Sequence, residues 1–293
     1  MTARKVYTWV LFFMLLVAWN TNCAVAQDLE QEKPLRPVAH MFSAQYGHST
    51  VLDSYLSPLK YGGHAIAINY EAQQATGFNP EKWTRQLRLG VDYDYTHNPA
   101  GNHTMHALMV DASWGMMHRW KDILTPGLQF QLGGETQFRG GAVYNAYNSN
   151  NVVSARIHWN VGLLGQAVYN MHIKRLPITL RYQAILPVAG AFFAPDYDEA
   201  YYEIYLGNHS NLAHFGWWGN RFDLDHTISA DLHLGSTILR IGYRNRINSS
   251  WINNINTRDI AHYLVIGIGG EFLNVGAKNK SKLNNNTISS IYP

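Results

Sequence analysis

Residues 87–96, Leu-Arg-Leu-Gly-Val-Asp-Tyr-Asp-Tyr-Thr, decide the fold class. Every second position from Leu87 to Tyr95 is apolar or aromatic, and the positions between them are polar or glycine. Because successive side chains point to opposite faces of a β-strand, this period of two predicts a strand with one apolar and one polar face.

The same period of two returns along most of the chain, and no segment shows a convincing helical period. We therefore predict an all-β protein with about ten antiparallel strands. The predicted strands are residues 38–48, 62–74, 84–97, 103–118, 125–139, 153–172, 176–187, 221–234, 237–249 and 261–274. Further strand structure within 188–220, around residues 201–206, would give the alternative of twelve strands.

The predicted strands are longer than those of soluble proteins. Many could run to about 11–15 residues, whereas soluble strands usually have about five or six. A tilted strand needs roughly 9–11 residues to cross the hydrocarbon of a membrane. Aromatic residues make up 13% of the chain, and membrane barrels carry girdles of them. These features predict a single antiparallel transmembrane β-barrel.

The predicted connections alternate between two sides of such a barrel. With the N-terminus in the periplasm, the inner connections are 75–83, 119–124, 173–175 and 235–236. The outer connections are then 49–61, 98–102, 140–152, 188–220 and 250–260, and nearly all are longer. Long outer loops and short periplasmic turns are typical of barrels in the bacterial outer membrane.

The N-terminus has the three zones of a signal peptide. Arg4 and Lys5 precede an uncharged, mostly apolar run from Val6 to Trp19, and Ala24-Val25-Ala26 offers small residues for cleavage after Ala26. The predicted segments are a signal peptide (1–26), a periplasmic leader (27–37), the outer-membrane barrel (38–274) and a polar C-terminal tail (275–293). The single cysteine, Cys23, leaves with the signal, so no disulfide is expected.

The net charge and the C-terminal residues indicate which partners to expect. Without Arg4 and Lys5 the chain keeps 21 of its 23 basic residues against 20 acidic ones, and no basic stripe favours nucleic acid. The expected partners are outer-membrane lipid and lipopolysaccharide, together with the barrel assembly machinery. Outer-membrane barrels commonly end on an aromatic residue that this machinery recognises. Phe272 is such a residue at the end of the last predicted strand, and an Asn-rich tail follows it.

The polar strand faces predict a charged lumen. A barrel of about ten strands has little room beyond its own side chains, so we expect charges of both signs to fill it as ion pairs. A narrow pore is the alternative. The predicted network comprises Arg88, Asp92, Asp94, Glu135, Arg181, Asp225, Asp231, Arg240 and Arg244, with Arg156 and possible further charge at Arg246.

No motif predicts catalysis. A lipid-directed acyl hydrolase of this shape would need a histidine and a serine two positions apart on one strand face. None of the 14 histidines has this spacing, and a triad assembled from different strands is the remaining route to such an enzyme. We predict no catalytic residue, no metal site and no cofactor.

The longest predicted connection, 188–220, is rich in aromatic and acidic residues. Ordered loops of this length are often functional. It is expected to be a self-packed cap over the outer mouth or a platform for a glycan or lipid headgroup. The candidate ligand-binding residues are Asp196, Tyr197, Asp198, Glu199, Tyr201, Tyr202, Glu203, Trp217 and Trp218.

Two motifs carry a resemblance to a known family. The first is Gly47-His48-Ser49 followed by residues 51–59 (VLDSYLSPL) and by Tyr61 and His64. The second is residues 186–197 (LPVAGAFFAPDY) followed by 201–204 (YYEI). With these motifs the chain resembles a family of Bacteroidetes outer-membrane proteins without an assigned function. The resemblance implies a barrel and its location, and no reaction.

The leading interpretation is thus a structural or ligand-binding surface protein without catalysis. The acyl hydrolase is the second interpretation and the narrow pore is the third.

Overall fold

The computed structural model describes residues 34–149, 151–273 and 287–292. The predicted signal peptide and its cleavage site lie outside these residues. Among the described residues, no helix is long and apolar enough to cross a membrane.

The described chain forms eleven strands and one short helix, α1 (Tyr201–Tyr205). The strands are β1 (Val38–Asp53), β2 (Ser57–Ala75), β3 (Trp83–His97), β4 (Thr104–Lys121), β5 (Leu128–Tyr144), β6 (Val153–Ile173), β7 (Leu176–Phe193), β8 (Ala213–Trp217), β9 (Arg221–Leu234), β10 (Thr237–Ile252) and β11 (Ile255–Phe272).

Ten of these strands form a closed antiparallel barrel. Each of the ten strands pairs with the next one along the chain, with β7 pairing with β9. β1 pairs with β11, and this pairing closes the sheet. The five-residue β8 is an addition, because it pairs only with the last residues of β7. The predicted fold class is confirmed.

The twelve-strand alternative is wrong because residues 201–205 form α1 rather than a strand. The Glu203 carboxylate accepts a hydrogen bond from the Ala200 N–H at 3.0 Å. This is the carboxylate half of a capping box, a local interaction that favours the start of a helix.

Two predicted outer loops are wrong, because residues 49–61 and 250–260 mostly continue the strands. The turn between β1 and β2 is only residues 54–56, and that between β10 and β11 is Asn253-Asn254. The two asparagines have φ angles of 51° and 60°, as a two-residue hairpin turn of type I′ requires. The other boundaries differ from the predicted ones by smaller amounts, and the only long connection left among the described residues follows β7.

The barrel has two distinct ends. We call the end with Val38, Phe272 and the turns 174–175 and 235–236 the terminal end. The loop end is the opposite one, with the turns 54–56 and 253–254 and the long connection after β7.

The barrel wall is apolar outside and polar inside. Outward side chains such as Ile68 (64% exposed) and Leu264 (59% exposed) are open to the surroundings, whereas Asp92 is 1% exposed and Arg181 is 3% exposed. This is the reverse of a water-soluble protein, and it suits a barrel surrounded by lipid.

The last described residues close the terminal end, which the sequence pattern did not predict. Ile291 and Tyr292 are buried, and the Tyr292 hydroxyl donates to Asp231 at 2.9 Å. Arg119 donates to the Ser289 carbonyl at 2.6 Å. Residues 287–292, which lie within the predicted polar tail, therefore form a plug; we call them the terminal plug.

We expect Ile241→Arg to destabilise the barrel in lipid by about 2–4 kcal/mol, because Ile241 faces outward beside Ile266 near the middle of the apolar band. The control Thr237→Arg lies on the same strand face at the terminal end, where the expected cost is about 0–1 kcal/mol. Guanidinium unfolding in lipid vesicles, followed by tryptophan fluorescence, would measure both. Equal effects would contradict the outward facing of Ile241.

We expect Tyr292→Ala to lower the free energy of unfolding by about 3–5 kcal/mol, as truncation of a large buried ring does. Tyr292→Phe keeps the ring and loses only the bond to Asp231, which Arg240 still neutralises, so its loss should be about 1–3 kcal/mol. The same unfolding measurement separates the two. A wild-type stability for Tyr292→Ala would show that the plug does not contribute.

Candidate functional site

Ion pairs fill the middle of the lumen. Asp92 lies between Arg139, at 2.5 Å, and Arg246, at 2.7 Å. Because all three side chains are almost completely buried, none could keep its charge there without a partner. Asp94 lies 3.7 Å from Arg246 on the loop-end side of the same cluster.

A second set of ion pairs lies nearer the terminal end. Arg240 donates to both oxygens of Asp231 at 2.7 Å, and Arg181 pairs with Glu71 at 2.5 Å. Glu71 also lies 3.7 Å from Arg240, so the two pairs form one cluster.

All nine predicted network residues lie inside the barrel and take part in ion pairs. Asp225 pairs with Arg244 at 2.7 Å, and Arg88 lies 3.9 Å from Glu135. The ion pairs also include seven residues that the sequence pattern did not predict: Asp53, Glu71, Asp111, Arg139, Arg221, Asp223 and Asp259. Glu71 was missed because its strand has inward alanines, Ala65 and Ala67, that weaken the polar and apolar contrast.

Neutral amides replace charges between the ion pairs and the terminal plug. Gln73 donates to Gln131 at 3.0 Å, and Gln131 donates to the Ser290 carbonyl of the plug at 3.0 Å. Gln166 donates to Gln73 at 3.2 Å. This amide layer joins the plug to the barrel wall.

Two small cavities lie inside the lumen, and a wider recess of about 730 Å³ lies beside the terminal plug. The loop-end cavity has a volume of about 60 Å³, room for about four to six water molecules. Its apolar wall includes Val51, Val143, Phe192 and Ile255, and its polar wall includes Arg139, Arg156, His158, Arg221, Asn248 and Asp259. A second cavity of about 50 Å³ lies among the ion pairs around Arg181 and Arg240.

The loop-end cavity has donors without a partner. Arg139 Nη2, Arg156 Nε and His158 Nε2 are buried and make no hydrogen bond. Asn248 and Asp259 each have an oxygen in the same condition. Buried polar groups without partners are rare in proteins and costly, so a cavity with three such donors is the strongest candidate for a binding site.

The proton position of His158 follows from its neighbour. The guanidinium of Arg221 lies 3.1 Å from His158 Nδ1, and a guanidinium can only donate. Nδ1 therefore accepts, and the proton of the neutral ring is on Nε2, the atom without a partner. His158 contributes a neutral N–H donor to the cavity.

Only part of the predicted cap lies over the loop end. Tyr55 donates to the carbonyl of Glu199 at 2.8 Å, and the hydroxyl of Tyr201 accepts from the Ala155 N–H at 2.6 Å. Tyr201 packs against the buried cluster that contains Tyr55 and Tyr61. Burial raises the pKa of Tyr201, so its hydroxyl stays neutral at ordinary pH.

The other candidate aromatic residues do not join this cluster. Tyr197, Tyr202, Trp217 and Trp218 are all more than half exposed. Trp217 belongs to β8, and the indole N–H of Trp218 donates to Pro187 at 2.7 Å on the barrel wall. The expectation that the aromatic rings of 188–220 pack together is therefore wrong for these four, because β7 continues to Phe193 and β8 pairs with it.

The candidate carboxylates serve local backbone structure. Glu199 accepts from the Asp196 N–H at 3.3 Å, Glu203 starts α1, and Asp196 accepts from Asn211 at 3.2 Å. Asp198 is exposed. Among the described residues no three histidine, cysteine or carboxylate side chains are placed to hold a metal ion.

The described residues bring no serine hydroxyl into hydrogen-bond contact with a histidine. Thr179 does bond His233 Nε2 at 2.9 Å, but this threonine is fully buried beside the terminal plug. That position gives a lipid ester no access to its hydroxyl.

Solved structures of similar shape are outer-membrane barrels. The transport unit of the autotransporter AIDA-I from Escherichia coli has 8% identity and a TM-score of 0.37, over 85% of this chain and 94% of that one. The outer membrane protease OmpT from Escherichia coli has 6% identity and a TM-score of 0.41, over 84% and 99%. The translocator domain of the autotransporter NalP from Neisseria meningitidis has 10% and 0.34, over 92% and 96%.

No curated protein matches the sequence. A family model does match, over residues 9–279, and it is described as a protein of unknown function, DUF3316. The predicted resemblance to a family without an assigned function agrees with this match. The chain belongs to the DUF3316 family.

Proposed function

We propose that the protein is an outer-membrane barrel that conducts no ions and binds a small organic anion in its loop-end cavity. In this proposal the loop end faces the outside of the cell and the terminal plug faces the periplasm. The single observation that carries it is the cavity with three buried donors that have no partner, above a lumen filled by ion pairs.

The membrane location is supported by the outer surface of the barrel. Ile66 and Ile68 of β2 and Leu264, Ile266 and Ile268 of β11 are each about half exposed or more, and with Phe42 of β1, the strand between them, they form one apolar face. An apolar face of this extent would be unfavourable in water. The longest connection, between β7 and β9, lies at the loop end, and Val38 and Phe272 lie together at the terminal end. In outer-membrane barrels the long loops are extracellular, which makes the terminal end the periplasmic side in this proposal.

The absence of conduction is supported by what fills the lumen. Along the described chain, the interior passes from the loop-end cavity to the ion pairs around Asp92, then to the cluster of Glu71 and Arg240, the amides and the plug. A hydrated ion would have to separate several buried pairs to pass. Removing one partner of a buried pair costs about 3–5 kcal/mol.

The class of ligand follows from the two walls of the cavity. Guanidinium and imidazole donors suit a carboxylate, which guanidinium can bind through two hydrogen bonds. The apolar wall of Val51, Val143 and Phe192 suits a short hydrocarbon part. Arg139, Arg156 and Arg221 already pair with Asp92, Asp53 and Asp223, so the ligand adds one charge to a nearly balanced site. A chain of about four carbons fits the volume.

We expect the purified protein to give no stepwise conductance in planar lipid bilayers, because the buried pairs leave no continuous path. A wide porin inserted under the same conditions is the positive control. Tyr292→Ala should also stay closed, since the ion pairs lie beyond the plug. Regular conductance steps from the wild-type protein would favour the narrow pore and contradict this part of the proposal.

We expect butanoate to bind the protein and butanamide, which lacks the charge, to bind at least tenfold more weakly. Saturation-transfer NMR titration would give both dissociation constants. His158→Phe keeps the ring and removes the Nε2 donor, so butanoate affinity should fall about five- to tenfold, as for a hydrogen bond of about 1–1.5 kcal/mol.

The control for that titration is His103→Phe, in the connection between β3 and β4, where the ring stacks on Tyr147 away from the cavity. It should bind butanoate as the wild type does. Equal binding of butanoate and butanamide, or an unchanged affinity in His158→Phe, would rule out the loop-end cavity as the anion site.

A further inference from the structure

Three histidines lie side by side on the outer surface of the barrel. His48 of β1 pairs directly with His262 of β11 and with His64 of β2, and all three are exposed. Directly paired residues of antiparallel strands have Cβ atoms about 4.5–5.5 Å apart. The three imidazoles therefore form one row across three strands. At the same level, beyond Tyr95 of β3 on one side and Asn245 of β10 on the other, lie His106 of β4 and His226 of β9.

The rings of His64 and His262, on either side of His48, each contact a tyrosine hydroxyl. The Tyr46 hydroxyl lies 2.8 Å from His64 Nδ1, and the Tyr243 hydroxyl lies 2.6 Å from His262 Nδ1. In both contacts the tyrosine occupies Nδ1. The Nε2 atoms of His64 and His262 are on the ring edge away from the tyrosines.

The ring of His48 lies beside a glycine. A Cβ atom at Gly62 would be 3.6 Å from both Cε1 and Nε2 of His48. His64 pairs with His48, and Gly62 is two residues nearer the loop end than His64. The Nε2 edge of His48 therefore points toward the loop end.

Two cations lie beyond the row. Arg258 of β11 and Lys60 of β2 are each four residues nearer the loop end than His262 and His64, and both are exposed. Four residues of a strand span about 13 Å. We call His48, His64, His262, Lys60 and Arg258 the basic patch. At the outward positions of these three strands between the row and the loop-end turns, the described residues include no carboxylate.

The basic patch lies where the apolar face ends. On the terminal side of the row the outward residues of β11 are Leu264, Ile266 and Ile268, which are 55–59% exposed. On the loop side they are Ile260, Arg258 and Asn256. Tyrosines directly below the row, at Tyr46 and Tyr243, suit the interface between hydrocarbon and headgroups. The patch is therefore at the level of the lipid headgroups.

We propose that the basic patch binds the phosphate group of a lipid in the surrounding leaflet. The Nε2 donors of the three histidines approach the phosphate from the hydrocarbon side, and Lys60 and Arg258 approach it from the loop side. The acyl chains of the same lipid lie against the apolar face of β11, β1 and β2. The proposal uses the membrane location and is independent of the anion in the loop-end cavity.

The lipid phosphate is favoured over other occupants by the combination of groups. A phosphate accepts several charge-assisted hydrogen bonds at once, and only a lipid would place it directly above an apolar strand face. The three imidazoles supply hydrogen-bond donors on the hydrocarbon side of the phosphate, and the side chains of Lys60 and Arg258 supply donors on the loop side.

The test is native mass spectrometry of the full chain in detergent micelles with dioleoyl phosphatidic acid or dioleoylglycerol, which has the same acyl chains and no phosphate. We expect phosphatidic acid to bind at least tenfold more tightly than dioleoylglycerol at neutral pH. The triple variant His48→Gln, His64→Gln and His262→Gln should lose most of this preference.

The matched control is the double variant His106→Gln and His226→Gln, which changes histidines at the same level away from Lys60 and Arg258. It should bind phosphatidic acid as the wild type does. Equal binding of the two lipids, or wild-type binding by a triple variant that circular dichroism shows to be folded, would overturn the proposal. Complete displacement of the lipid by millimolar inorganic phosphate would instead assign the patch to a free anion.

These outcomes are separate from the tests of the proposed function. If the triple variant stays closed to ions and binds butanoate normally, the patch and the cavity act independently. If butanoate fails to bind while phosphatidic acid still binds, the result contradicts the cavity proposal and supports the lipid proposal.

Discussion

The first and last strands pair along their whole length, from Val38 with Phe272 to Asp53 with Thr257. This ladder closes the sheet, so that the ten-stranded ring has no edge strand. In lipid each unpaired group would cost several kcal/mol, and closure is the way a sheet avoids that cost. Closure also divides every strand into a lipid face and a lumen face, which fixes the chemistry of both.

The lumen chemistry follows from this division. Once the ring is closed, the inward charges have little water, and each needs a partner from another strand. Asp92 on β3 finds Arg139 on β5 and Arg246 on β10, so its partners come from both sides of the lumen. Such pairs add little net stability compared with apolar packing, but a missing partner is costly. The network therefore favours one register and one stagger over the alternatives.

The sequence alone predicted the parts that depend on alternation. The pattern of β3 and of β10 assigns Asp92 and Arg244 to the lumen without any knowledge of their partners. The partners could not be predicted, because they depend on the stagger between distant strands. The turn at Asn253-Asn254 could not be recognised in the sequence because the residues around it are also polar. As a result, β10 and β11 both extend nearer to this turn than predicted. Residues 287–292 have no periodic pattern, so their insertion beside Gln131 gave no signal either.

The polar groups of the two ends of the barrel lie in different surroundings. At the terminal end, the amides of Gln73 and Gln131 bond to each other and to the plug, and the Tyr292 hydroxyl donates to Asp231. Buried donors without a partner occur in both cavities, such as Arg181 Nε in the cavity among the ion pairs and His158 Nε2 in the loop-end cavity. The loop-end cavity differs in its apolar wall of Val51, Val143 and Phe192. An apolar wall beside polar donors is the combination that a small organic ligand requires, and in this barrel it follows from β6 and β7 running past the ion pairs to the loop end.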